Sequence, residues 1–104
     1  MTWAIYHRGP RAKDWTRLSL TISPGVDACR EFYKQCDIGK PGRYILRAEG
    51  IDVLASAEVQ QHDMTIKWHP EWILFALGAK GMHEEVPKVV AYLCEVDAWP
   101  KEEA

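Results

Sequence analysis

Two alternating runs around Glu49-Gly50 constrain this chain more than any other stretch. Arg43–Ala48 and Ile51–Ala57 flank a two-residue connection in which Gly50 can take positive φ. Folded back about that turn, Ala48 meets Ile51, Leu46 meets Val53 and Tyr44 meets Ala55. The opposite face then pairs Arg47 with Asp52, Ile45 with Leu54 and Arg43 with Ser56. One face is wholly apolar, and the other couples opposite charges beside an aliphatic pair, which is the cross-strand chemistry that favours antiparallel pairing.

The N-terminal segment carries the same period of two. Trp3, Ile5 and His7 alternate with Ala4, Tyr6 and Arg8, and Gly9-Pro10 breaks the run. After a charged connection over 11–14, Trp15 to Ile22 alternates again, with Thr16, Leu18, Leu20 and Ile22 on one side and Trp15, Arg17, Ser19 and Thr21 on the other. Two strands joined as a hairpin follow from this pattern. Ser23-Pro24 then signals a helix start, Ser as N-cap and Pro at the first helical position. Val26, Cys29, Phe32, Tyr33 and Cys36 recur at helical spacing, with Asp27, Arg30, Glu31 and Lys34 opposite them. Gly39 is placed to end that helix as its C′ residue.

Beyond the central hairpin the pattern changes. Glu58 to Asp63 is polar and reads as a loop. Met64, Ile66 and Trp68 alternate with Thr65, Lys67 and His69, a fifth, short strand. Pro70-Glu71 can open a helix through Leu77, although the apolar run Trp72–Leu77 also fits a buried strand, because periodicity does not separate the two. From His83 to Trp99, the residues Val86, Val89, Val90, Leu93 and Val96 form a helical stripe. Pro87 falls in its first turn, and Glu84 is one turn from Lys88. The expected architecture is a single α+β domain over 1–104. Its β-β-α-β-β core has a largely antiparallel sheet, with helices on one face or both, followed by a short strand and two C-terminal helices.

Charge divides the chain. Residues 1–48 carry nine bases and four acids, whereas residues 49–104 carry four bases and eleven acids, so the overall −2 hides two opposite halves. The basic half is the ββαββ unit (1–57), and the acidic half (58–104) is read as mostly helical. No run approaches the ~18 apolar residues that a membrane helix needs. The N-terminus lacks a secretory pattern, there is no Asn for glycosylation, and the three cysteines form no C-x-x-C pair. Cys29 and Cys36, seven apart on one helix, would be separated by ~10.5 Å of rise, beyond the ~7 Å reach of a disulfide. A cytoplasmic chain with no membrane contact is the expectation.

No catalytic or metal-binding constellation emerges. The closest histidines, His62 and His69, are seven apart, and no paired ligand spacing accompanies them. Neither a metal nor a cofactor is therefore expected. Cys29, Cys36 and Cys94 fall on or near apolar helix faces and read as buried structural thiols. Gly39-Lys40-Pro41-Gly42 lacks the spacing of a phosphate-binding loop, and Pro41 removes an amide donor. A small enzyme built on His62, Asp63 and a cysteine is the weakest functional reading.

Two binding readings remain. In the favoured one, a small non-enzymatic accessory or inhibitory module docks a basic protein through the acidic half, with Glu84, Glu85, Glu95, Asp97 and Trp99 as its contacts. In the alternative, the basic, aromatic sheet face binds single-stranded nucleic acid through Trp15, Arg17, Arg43 and Arg47, with Arg30 and Lys34 on the first helix. The blander possibility is that the arginines are neutralised within the monomer by the acidic half. Pairing of unlike halves between two copies would be its intermolecular counterpart.

Overall fold

The structure, a computed structural model, describes residues 3–18, 22–61 and 63–99. In chain order the elements are β1 (Trp3–Arg8), β2 (Thr16–Arg17), α1 (Val26–Ile38), β3 (Gly42–Ala48), β4 (Asp52–Gln60), β5 (Asp63–Trp68), α2 (Pro70–Ala79) and α3 (Glu85–Glu95). The strands form one antiparallel sheet in the order β2-β1-β3-β4-β5. The helices pack as a layer on one face, giving a single α+β domain 18 Å thick in its shortest dimension. No helix among the described residues is long and apolar enough to cross a membrane.

The central hairpin exists, but its register differs from the expected one. Its connection has three residues, Glu49-Gly50-Ile51, with Gly50 at φ 80° and the Ile51 N–H donating to Ala48 O at 3.0 Å. Asp52 therefore faces Ala48, and Arg47 faces Val53. A bulge then absorbs Leu54, after which Leu46 faces Ala55, Tyr44 faces Ala57 and Arg43 faces Glu58. Because a one-residue slip would turn every side chain over, the extra residue returns Ala55 and Ala57 to the core face. β4 continues through Glu58, Val59 and Gln60, which the sequence placed in a loop. That extension pairs Glu58 with Arg43, whose side chains meet at 3.2 Å.

Three other expectations are corrected. β2 is only Thr16–Arg17; Leu18 N–H still reaches Ile5 O at 2.9 Å, while Ser19, Leu20 and Thr21 lie outside the described residues. α1 starts at Val26 after Gly25 (φ 107°), with no side-chain cap from Ser23. The cap instead comes from 59 positions away, where Glu85 Oε1 accepts the Val26 N–H at 3.3 Å. Gly39 is not left-handed (φ −82°); the positive-φ glycine of this turn is Gly42 (φ 137°), where a Cβ would run into Arg8 O and His7 Nε2.

The core lies between sheet and helices. Trp3, Ile5, Tyr44, Leu46 and Ala48 line the covered sheet face, and Phe32, Ile73, Leu77, Val89 and Leu93 descend from the helices. Trp68 links the layers, meeting both Phe32 and Tyr92 edge-on at 5.8 Å. Tyr33, expected inside, is 42 % exposed. The 70–77 segment is helical, with Pro70 at its first position.

Candidate functional site

The uncovered face of the sheet collects basic and aromatic residues from four strands. Alternation and register determine its membership. Tyr6 lies opposite both Arg17 and Ile45, Arg8 opposite Arg43, and Ala4 opposite Arg47. Ser56 and Glu58 of β4 and Lys67 and Thr65 of β5 extend the same face. Arg17, Arg43 and Arg47, which the sequence nominated from separate segments, thus share one surface with Trp15, whose indole is 37 % exposed. Arg8 and Tyr6 belong to it as well. The Arg8 guanidinium stacks 4.9 Å above the Trp15 ring. A depression of about 350 Å³ beside that indole is lined by Arg43, Ile45, Ser56, Glu58, Thr65 and Lys67.

The electrostatics of this face are unbalanced. Arg8 and Arg43 are directly opposed across β1 and β3, a like-charge arrangement that costs stability. Glu58 offsets Arg43, and stacking on Trp15 holds Arg8. Tyr6 Oη donates to Glu49 Oε1 at 2.7 Å, and this hydrogen bond is the main reason its phenol pKa is raised. Among the described residues, Arg17, Arg47 and Lys67 have no carboxylate within ion-pair distance, so the acidic half neutralises this face only in part, through Glu58.

Arg30 and Lys34 are not brought to the same surface. They lie on α1, in the layer behind the sheet, and Arg30 sits 5.9 Å from the Tyr92 ring.

The acidic residues nominated for protein docking occupy the two ends of α3. Glu84 precedes the helix and Glu85 begins it, while Glu95 closes it and Asp97 and Trp99 follow. Ten residues of rise separate Glu85 from Glu95, roughly 15 Å, so the five do not form one patch. Glu85 is already engaged. It pairs with Lys88 at 3.1 Å, in place of the expected Glu84–Lys88 couple, and caps α1. The Lys88 bond, and after it the Val26 N–H, hold its carboxyl below the ordinary range. Trp99 is partly buried against the core.

Asp97 has an unusual backbone. Its φ is 57°, the Asp97 N–H donates to Cys94 O, and the Ala98 N–H donates to Leu93 O at 2.7 Å. This is the Schellman arrangement, with an acid where glycine is usual. α2 ends in the same motif with glycine in place: Gly81 has φ 70°, its N–H reaches Gly78 O, and the Met82 N–H reaches Leu77 O.

Among the described residues the enzyme reading has no assembled site. His62 lies outside the described residues, and Asp63 Oδ1 accepts its neighbour Met64's N–H at 2.9 Å. Burial pushes the Cys29 and Cys36 thiols up to about 12, far from nucleophilic thiolates. Cys94, expected to be buried, is exposed on α3. Among the described residues no three His, Cys, Asp or Glu side chains cluster as metal ligands would. The sequence also missed an exposed aromatic pair on α2, Trp72 and Phe75, in edge contact at 5.8 Å; it read as part of a buried run because α2 is apolar on all sides.

In comparisons with protein-family models, curated protein sequences and solved structures, nothing matches this chain.

Proposed function

We propose that this chain is a non-enzymatic binding module that holds single-stranded nucleic acid against the helix-free face of its sheet. The observation that carries the reading is that Arg8, Arg17, Arg43 and Arg47 share one sheet face with Trp15, on whose ring Arg8 stacks, with one ion pair among them. An indole offers a base a stacking platform without regard to sequence, and the guanidinium groups follow the phosphates. A phosphate between Arg8 and Arg43 would relieve their mutual repulsion. Fluorescence anisotropy with a labelled oligothymidylate or oligouridylate tests this at several salt concentrations. Affinity is expected to fall with salt at a slope of about −0.7 per phosphate contacted. Arg17→Ala and Arg47→Ala should each reduce the number of contacts by about one. No binding at micromolar protein in low salt would exclude the reading.

A second reading keeps a basic protein partner at the C-terminal end of α3, where Glu95, Asp97 and Trp99 adjoin. Asp97 favours it. A carboxylate is disfavoured at the negative end of a helix, and a basic partner there would offset its charge. Binding of a poly-lysine probe that survives the double substitution Glu95→Lys, Asp97→Lys would exclude this reading.

A further inference from the structure

We propose that β5 joins two copies of this chain edge to edge, in an antiparallel register that sets Asp63 of each copy against the partner's Lys67. β5 is a terminal strand of the sheet and six residues long, whereas the opposite edge, β2, has two. The His69 N–H donates to Leu54 O at 2.9 Å, which phases the β4–β5 ladder. Asp63, Thr65 and Lys67 direct their main-chain groups to β4, and Met64, Ile66 and Trp68 direct theirs outward. A long unpaired edge of this kind is a template for another strand. There is room for one: an open groove of about 490 Å³ runs between Met64, Ile66 and Trp68 on one side and Tyr33, Val96 and Ala98 on the other.

The identity of the added strand follows from self-complementarity. Outward-directed residues must face outward-directed residues. Setting Met64 against the partner's Ile66 puts Thr65 opposite the partner's Thr65 on the two-fold axis. The same register puts Asp63 opposite the partner's Lys67, twice by symmetry, and all of these are favourable cross-strand couples. One hydrogen-bonding step in either direction leaves Lys67 or Asp63 opposite Thr65 and loses both ion pairs. The present local bond is also replaceable. Asp63 Oδ1 now covers the Met64 N–H; pairing gives that N–H to the partner's Ile66 carbonyl and releases the carboxylate for the partner's lysine.

The test is the mass of the full chain by light scattering and sedimentation across a concentration series, with far-ultraviolet circular dichroism as a control for folding. Wild type should reach twice the 11.9 kDa chain mass. Asp63→Lys and Lys67→Asp alone should each weaken association at least about tenfold, and an equimolar mixture of the two should restore it, because unlike charges then meet at both positions. Should either single variant fail to fold, the exchanged chain D63K/K67D must associate as wild type does. Ile66→Pro, which removes an N–H that the monomer's ladder does not use, should abolish pairing. Three results overturn the proposal: a wild-type monomer at every concentration, even one that captures an extended peptide; a dimer indifferent to the single reversals, as association through Trp72 and Phe75 would be; and a mixture that stays monomeric.

Discussion

Leu46 and Arg47 are neighbours in β3 and end in opposite environments. Leu46 is fully enclosed between the sheet and the helices, and Arg47 projects from the bare face with no carboxylate of the described residues within ion-pair distance. The same strands make both surfaces. On the covered face every side chain is held by several others, so shape and volume decide what is tolerated. On the bare face, side chains are held by single contacts, Arg8 on Trp15, Arg43 on Glu58 and Tyr6 on Glu49. Substitutions there leave the fold largely alone, and they are where binding can be altered without unfolding the domain.

The largest effect belongs to the covered face. Phe32→Ala removes a fully buried ring that packs against Trp68, and it should cost about 3–5 kcal/mol, a large part of the ~5–15 kcal/mol that holds a domain together. Urea titration would measure it, and a loss under 1 kcal/mol would show that the helical layer is loosely attached. Trp15→Ala on the bare face should shift stability by no more than about 0.5 kcal/mol. In the same variant, oligonucleotide affinity should fall by about 1–3 kcal/mol if a base stacks on that indole. Equal losses in both assays would mean that Trp15 is structural and that the two faces are not independent.

Smaller effects distinguish the ends of the helical layer. Asp97→Gly should stabilise the domain by about 0.5–1 kcal/mol, since glycine takes φ 57° without Cβ strain and removes a negative charge from a helix C-terminus. Gly81→Ala, at φ 70° in the matching motif of α2, should destabilise by about 1 kcal/mol. Thermal melting of the pair would therefore move in opposite directions. The smallest effect is that of Glu85. Its folded pKa is depressed by Lys88 and the Val26 N–H, so its contribution is complete above the ordinary carboxylate value of 4.5 and is lost as pH falls through the lower folded value. Glu85→Gln should flatten the stability profile in that acidic window and leave its shape at neutral pH unchanged, as read by urea midpoints across pH.

Much of this layout was legible in the sequence, and the errors share one origin. Alternation in Trp3–Arg8 sorted β1 onto its two faces, and the Pro70 start allowed α2 without excluding a buried strand. Alternation gives parity but not partners. It placed Arg43, Arg47, Arg17 and Trp15 on exposed faces, and only the order β2-β1-β3 supplies the reason that these are one face, as the nucleic-acid reading assumed. It also missed the bulge at Leu54, because a strand with two consecutive apolar residues looks the same whether or not one of them is extra. Helical periodicity likewise put Arg30 and Lys34 on an outer surface but did not show that α1 lies on the far side of the sheet from Arg17.

By itself, then, the sequence determined the order and approximate extent of most strands and helices, which side of each is apolar, and that positive charge concentrates in the first half. Those properties depend on neighbours within a few residues. Tertiary structure alone decided the long-range matters: that Glu85 caps a helix 59 residues away, that Glu58 reaches Arg43, and that Arg8, Arg17, Arg43 and Arg47 share one sheet face with Trp15. The physical reason is that strand order and register are set by the whole apolar surface competing for burial, to which each residue contributes only a small share.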